Sequence, residues 1–138
     1  MISLIIGKKG SGKTKQLIEL VNSTVEHSKG NVVCIEKVTK LTHDVTHRAR
    51  LISTDHFGIS GYDSFFGFLC GISAGDYDIT DILVDATLSI GGRDYDELTE
   101  FLKKVCQLSE TTHNDFTFTI STEAGDLPSE IFDYGKRI

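Results

Sequence analysis

Apolar residues along the chain fall into short continuous runs separated by longer stretches with helical spacing. The continuous runs predict four buried strands, over residues 2–6, 31–35, 80–85 and 115–121. A fifth short strand fits the region around 48–53. Continuous apolar runs are typical of strands in a parallel sheet, because helices cover both faces of such a sheet.

Helical spacing occupies the stretches between these runs. Apolar residues at 17, 18, 20 and 21 predict a first helix from about 12 to 27. Clustered phenylalanines predict a second helix within 62–72, and packing in the core is the favoured role for them over stacking on a base. A third helix begins after Asp94, which is an expected N-cap with Glu97 three residues on.

Residues 39–50 fit either a helix or a polar loop. His43 and His47 would share a helical face, but without a third ligand a solvated polar face is favoured over a metal pair. Arg48 and Arg50 are expected to be surface charges, with contact to a phosphate as the alternative.

Strands alternating with helices through short connections predict an α/β fold in three layers, with a mainly parallel sheet of about five strands. The length of 138 residues suits one domain over 1–138, in which about 124–138 form a C-terminal extension. Pro128 introduces a short final turn or helix there, and residues 135–138 are expected to be a frayed tail.

Composition and charge narrow the classes of function. A net charge of −6 makes nucleic acid an unlikely main partner. No apolar run approaches the ~20 residues that a membrane span needs. The N-terminal apolar run is also too short for a signal peptide. The three cysteines are far apart and include no C-x-x-C pair, which favours free thiols in a cytoplasmic location.

A glycine-rich stretch between the first strand and the first helix carries the main chemical signal. It reads GKKGSGKT and fits the pattern G-x-x-x-x-G-K-[ST], whose backbone N–H groups surround phosphates. Lys13 is placed to reach the β- and γ-phosphates, and the Thr14 hydroxyl to bind Mg²⁺. The residues expected to contact a nucleoside triphosphate are Gly7, Lys8, Lys9, Gly10, Ser11, Gly12, Lys13 and Thr14.

A second landmark is the apolar strand that ends in Asp85. Such a strand delivers a carboxylate to the sheet edge, where it can hold Mg²⁺ directly or through water. Thr14 and Asp85 are therefore the predicted metal ligands. Ser121 and Thr122 end the fourth strand at the same edge, where they would either sense a γ-phosphate or cap the next turn.

The GKKGSGKT loop together with the ILVD segment at 82–85 resembles the Walker A and Walker B elements of the P-loop NTPase superfamily. The likeness is to its RecA-like and thymidine-kinase-like branch, and loosely to small bacterial P-loop ATPases. It implies ATP as substrate or ligand and Mg²⁺ as cofactor. Many relatives have a glutamate directly after the Walker B aspartate, whereas this chain has Ala86. Glu36, at the end of the second strand, matches the position of a carboxylate in RecA-like proteins.

This resemblance leaves three functions open. The first is a slow Mg²⁺-dependent ATPase with Lys13 and Glu36 as catalytic residues, unless Glu36 is a surface or structural glutamate. The second is a nucleotide-gated regulatory module that does not hydrolyse ATP. The third is a small-molecule kinase, which is disfavoured because the chain has no recognisable lid or zinc-binding cysteine set. ATP is favoured over GTP because no N-K-x-D element follows the fourth strand. A homo-oligomer or a protein partner that completes the site stays open.

Overall fold

The structure is a computed structural model that describes residues 1–138 and contains six strands and five α-helices. The strands are β1 (Ile2–Gly7), β2 (Asn31–Glu36), β3 (Arg50–Ser53), β4 (Ile79–Val84), β5 (Asp115–Ser121) and β6 (Lys136–Arg137). The α-helices are α1 (Lys13–His27), α2 (Tyr62–Gly75), α3 (Thr87–Gly91), α4 (Tyr95–Thr112) and α5 (Ile131–Tyr134). The predicted α/β class is confirmed.

All six strands belong to one parallel sheet, in the order β3-β2-β4-β5-β1-β6. The sheet therefore has six strands, one more than the number of about five predicted from the sequence. The strand that precedes the glycine loop, β1, lies apart from β4, which precedes Asp85, because β5 pairs with both of them.

Two apolar clusters show that helices cover both faces of the sheet. On one face, Leu17, Val21 and Val25 of α1 pack with inward residues of β2 and with the turns over 41–49. On the other face, α2, α3, α4 and α5 contribute to a larger cluster with β1, β4 and β5. Neighbouring residues of β1 point into different clusters, as the pleat of a strand requires. These layers match the predicted three-layer arrangement.

The helix predictions hold closely, apart from the ambiguous segment. Asp94 caps α4 as expected, since its side chain accepts hydrogen bonds from the amides of Asp96 and Glu97. Phe65 of α2 is fully buried and stacks on Phe101 at 5.1 Å between ring centroids, which confirms the packing role of the aromatic cluster. Residues 39–50 form turns up to the start of β3, so the loop alternative is the correct one.

The expected frayed tail is wrong. Lys136 and Arg137 extend the sheet as β6 beside β1, and the Ile138 amide donates to the Leu4 carbonyl at 2.9 Å. The segment before this strand is anchored in the core, because Leu127 and Ile131 are buried in the larger apolar cluster. The predicted short helix after Pro128 is present as α5, and its buried residue holds the tail against the sheet edge.

Candidate functional site

The candidate site lies at the edge where the carboxyl ends of four parallel strands meet. Gly7 at the end of β1 is paired in register with Ser121 at the end of β5. Ile35 of β2 is paired with Val84 of β4, so Glu36 and Asp85 follow side by side. Ligands of open α/β sheets bind at this edge, because the loops that follow the strands converge there.

The glycine loop has the backbone that its sequence requires. Gly10 and Gly12 have φ values of 84° and 88°, in the left-handed region that favours glycine. A Cβ on Gly7 would lie 2.6 Å from the Ser11 Oγ, so a side chain there would disturb the loop. Gly12 precedes α1 and offers no side-chain cap. The first amides of α1 therefore stay free of side-chain partners beside the loop.

Lys13 is folded over this loop. Its side chain is buried, and its ammonium donates to the Lys8 carbonyl oxygen at 2.8 Å and to the Ser11 Oγ at 3.3 Å. Burial lowers the pKa of Lys13, while the negative charge of Asp85 opposes that shift. The ammonium thus lies in the loop without a direct carboxylate partner.

Thr14 and Asp85, predicted as metal ligands, are in contact although 71 residues separate them. The Thr14 hydroxyl donates to the Asp85 carboxylate, 3.1 Å from Oδ2 and 3.3 Å from Oδ1. Hydroxyl and carboxylate oxygens are hard ligands that suit Mg²⁺. The chain has no cluster of three or more His, Cys, Asp or Glu residues that could hold a metal ion. This donor set fits Mg²⁺, which commonly takes one or two carboxylates together with water and phosphate oxygens.

The residue after Asp85 has an unusual backbone. Ala86 has a φ of 57° and a ψ of 49°, a left-handed conformation that costs a residue with a Cβ roughly 1–2 kcal/mol. Its amide donates to the Thr119 hydroxyl at 2.8 Å. Strained backbone of this kind often occurs at functional sites, where neighbouring contacts hold it in place.

Glu36 is buried at the end of β2, only 3% exposed, so its interpretation as a surface residue is wrong. Its Oε1 accepts hydrogen bonds from the amides of Lys40 at 2.8 Å and Leu41 at 3.2 Å. Its Oε2 is buried without a hydrogen-bond partner. Glu36 therefore has a structural role in the turn that follows β2, and it also keeps one free carboxylate oxygen. Its role as a base stays a prediction.

Two adjoining cavities open at this edge, of about 780 Å³ and about 360 Å³. Both are lined by Lys9, Thr14, Asp85, Ala86 and Ser121. The smaller one follows the glycine loop, and the larger one reaches Glu36 on one side and the loop after β5 on the other.

The larger cavity has a mixed electrostatic character within a chain of negative net charge. Its cationic lining residues are Lys8, Lys9, Lys37, Lys40 and Arg93. Its acidic lining residues are Glu36, Asp85, Glu123 and Asp126. Lys8 forms an exposed ion pair with Glu123 at 2.9 Å, which joins the glycine loop to the loop after β5. Lysine and arginine at the mouth of such a cavity favour anionic ligands.

Other candidates lie outside the site or have another role. Arg48 pairs with Glu26 at 2.8 Å on the surface, and Arg50 begins β3, where it is paired in register with Val33 of β2. Neither arginine lines the two cavities. His43 and His47 are exposed on turns, in agreement with a solvated face. Thr122 accepts a hydrogen bond from the Tyr95 hydroxyl at 3.0 Å and lines the larger cavity, whereas Ser121 lines both cavities.

Sequence reasoning missed Thr119. Its hydroxyl donates to the Asp85 Oδ1 at 2.9 Å, and the side chain is only 1% exposed. The alternation along 115–121 marks Thr117 and Thr119 as occupants of one face, but the neighbour of β5 in the sheet cannot be read from that pattern.

A scan against protein-family models finds no match to this chain, and a search of curated proteins finds no significant relative. No helix in the structure combines the length and apolar character that crossing a membrane would require.

Proposed function

We propose that this chain is a P-loop NTPase that binds ATP together with Mg²⁺ and hydrolyses it slowly. The observation that carries the proposal is the contact between Thr14, at the start of the helix after the glycine loop, and Asp85, at the end of another strand. A glycine turn before an ordinary helix gives no reason for these two distant residues to meet beside a buried lysine. The order of the sheet, with β5 between β1 and β4, supports the RecA-like and thymidine-kinase-like branch.

The residues of the loop divide the work of binding. Backbone N–H groups around Gly10 and Gly12, with the first turn of α1, would surround the α- and β-phosphates. Lys13 would exchange its bonds to the Lys8 carbonyl and the Ser11 hydroxyl for phosphate oxygens. Thr14 and Asp85 would hold Mg²⁺, which neutralises charge on the β- and γ-phosphates.

Glu36 is the candidate general base. Hydrolysis needs a carboxylate within hydrogen-bond reach of the attacking water. Glu36 is among the residues that line the larger cavity with Asp85, and its Oε2 is buried without a competing donor, so the attacking water would have to enter beside it. The two bonds from the Lys40 and Leu41 amides to Oε1 would hold the group in one orientation. The water would give its proton to Oε2, its oxygen would bond to the γ-phosphorus, and ADP would leave.

The alternative is a regulatory module that binds ATP and does not turn it over. The observation that favours it is the same pair of bonds to Oε1, since they already give Glu36 a structural purpose. Ala86 also leaves no acid directly after Asp85. In such a module the nucleotide would order the loops around the cavity, and a protein partner or second copy would detect that change.

All three cysteines are free thiols, which supports a cytoplasmic location for the proposed enzyme. ATP stays the expected nucleotide over GTP.

The first test is calorimetric binding of ATP and GTP in Mg²⁺ and in EDTA, with Lys13→Ala beside wild type. Hydrogen bonds to charged groups contribute about 1.5–3 kcal/mol, so we expect the variant to bind ATP roughly tenfold to 100-fold more weakly. Lys29→Ala is a control that removes one positive charge near the start of β2, and it should bind like wild type. Equal affinity of Lys13→Ala and wild type would refute the phosphate-binding assignment.

The second test separates the two candidate functions by phosphate release. Glu36→Gln keeps an oxygen for the Lys40 and Leu41 amides and removes the base. Because general bases typically contribute about 10²–10⁴-fold in rate, we expect turnover to fall by at least that lower factor while ATP affinity holds. ATP binding without Mg²⁺-dependent phosphate release by wild type would favour the regulatory module.

A further inference from the structure

Thr119 is a buried residue of β5 to which the proposed function assigns no role. It lies beside Asp85, because Phe118 is paired in register with Val84, the last residue of β4. The side chain is 1% exposed and its hydroxyl makes two hydrogen bonds. Apolar packing of β5 alone would require neither of these hydrogen bonds.

The Thr119 hydroxyl is the donor in one of these hydrogen bonds and the acceptor in the other. It donates to the Asp85 Oδ1 at 2.9 Å, and it accepts from the Ala86 amide at 2.8 Å. A hydroxyl has one donor and two acceptor positions, so donation to the carboxylate uses its only proton. Thr119 therefore fixes one oxygen of Asp85 and, through the next amide, the backbone that carries Asp85.

The other oxygen of Asp85 is left on the side of the glycine loop. Asp85 Oδ2 is the oxygen nearer to the Thr14 hydroxyl, at 3.1 Å against 3.3 Å for Oδ1. With Oδ1 also held by Thr119, rotation of the carboxylate about its terminal bond would break the shorter contact. Both oxygens thus lie within reach of the Thr14 hydroxyl, but only Oδ1 is also bonded to β5, which leaves Oδ2 the less occupied of the two.

We propose that Thr119 is a positioning residue that holds the Asp85 carboxylate in the orientation that binds Mg²⁺. This inference rests on the proposed function, since it gives Asp85 its metal. In this proposal Thr119 acts through Asp85, although it also lines the smaller cavity. Residues that orient metal ligands in this way typically change metal affinity by about 10–100-fold when they are replaced.

The experiment measures the Mg²⁺ concentration that gives half of the maximal gain in ATP affinity. Thr119→Val has nearly the same shape without the hydroxyl, and we expect it to raise this concentration about tenfold or more. Thr119→Ser keeps the hydroxyl and should stay close to wild type. ATP affinity in EDTA should be alike in all three proteins, because Lys13 and the loop are unchanged.

Thr117→Val is the matched control. Thr117 lies two residues earlier on the same strand and the same face, is also buried, and makes no side-chain hydrogen bond. It should leave the Mg²⁺ dependence unchanged. In an Asp85→Asn background, Thr119→Val should add no further effect, since its action passes through that carboxylate.

Several results would overturn the inference. A wild-type Mg²⁺ dependence in Thr119→Val would do so, and so would Thr119→Ser behaving like the valine variant. If Thr119→Val does not fold by circular dichroism, Thr119→Ala replaces it in the same comparison with the serine variant. Wild-type protein that binds no ATP would refute the proposed function, whereas normal Mg²⁺-dependent binding by Thr119→Val would refute only the role of Thr119.

Discussion

Replacement of Ala86 by glycine should stabilise the protein and weaken the binding of Mg²⁺ at the proposed metal site. Ala86 has the left-handed φ of 57° directly after Asp85. That conformation costs a residue with a Cβ roughly 1–2 kcal/mol, and glycine avoids this cost. Glycine also has more conformational freedom in the unfolded chain, and this reduces the gain in stability by roughly 0.4–1 kcal/mol. The net expectation is a gain of about 0.5–1 kcal/mol in the free energy of unfolding, or about 2–4 °C in Tm.

Mg²⁺ binding at the proposed metal site should change in the opposite direction. Ala86 is held by the bond from its amide to Thr119, and its restricted backbone limits how Asp85 can turn. Glycine admits further backbone conformations, so the Asp85 carboxylate becomes less well fixed. We expect a higher Mg²⁺ requirement for ATP binding in Ala86→Gly than in wild type. A gain in stability with a loss of function is a common outcome at strained sites.

His113 offers a matched control for this pair of measurements. Ala86 and His113 are the two residues other than glycine that have a positive φ, which is 59° at His113. His113 follows α4 and is exposed. His113→Gly should stabilise the protein by a similar amount and leave the Mg²⁺ dependence unchanged. Thermal and urea unfolding give the stability, and calorimetry gives the metal dependence. If His113→Gly is stabilising and Ala86→Gly is not, the reasoning on strain at Ala86 is wrong.

Two further predictions concern stability away from the site. Ile131→Ala should lower the free energy of unfolding by about 2–5 kcal/mol, because Ile131 is fully buried. If urea unfolding gives a loss under about 1 kcal/mol, the C-terminal segment is not part of the core. Asp81→Asn should stabilise the protein at pH 7, because the pKa of Asp81 is raised above its ordinary value of 3.8 in the folded protein. Burial is the main cause and the negative charge of the facing Asp115 adds to it, whereas a hydrogen bond with Thr80 acts in the opposite direction. A raised pKa favours the protonated carboxyl in the folded state, so stability is lost as pH rises through the folded pKa, and the advantage of asparagine should shrink toward pH 4. An advantage that is equal at both pH values would contradict this cause.

The layers of the fold follow from local patterns and were predictable. Runs such as residues 2–6 and 31–35 are apolar on both sides, and both strands are buried from both faces. The start of α4 was predictable for a similar reason, since a cap such as Asp94 acts within three residues. These features depend on neighbours in sequence, which a pattern can report.

The parts that were missed depend on neighbours in space. β6 has only two residues, so no run of apolar positions marks it, and its pairing with β1 depends on Ile131 holding the preceding segment in the core. The sequence pattern does not distinguish Thr119 from the other alternating residues of β5, because its role depends on the pairing of β5 with β4. The conformation of the glycine loop was predictable because the phosphate-binding pattern that it fits has a fixed local spacing. Asp85 was readable only in combination with that loop.

Glu36 combines an observed structural role in the turn after β2 with the catalytic role that we propose for it. A carboxylate whose two oxygens were both hydrogen-bonded to backbone amides would be a poor base, and one with neither oxygen fixed would rotate. In this protein Oε1 is held by two amides and Oε2 has no partner, although the group is buried. An unpaired buried carboxylate oxygen is costly, so it is expected where a ligand or water completes it. Burial of Cys34 raises the pKa of its thiol to about 12, and the nearby charges of Glu36 and Asp85 add to that rise. Four lysines and Arg93 line the same cavity as Glu36, and this arrangement would suit the proposed activation of a water molecule beside a bound phosphate.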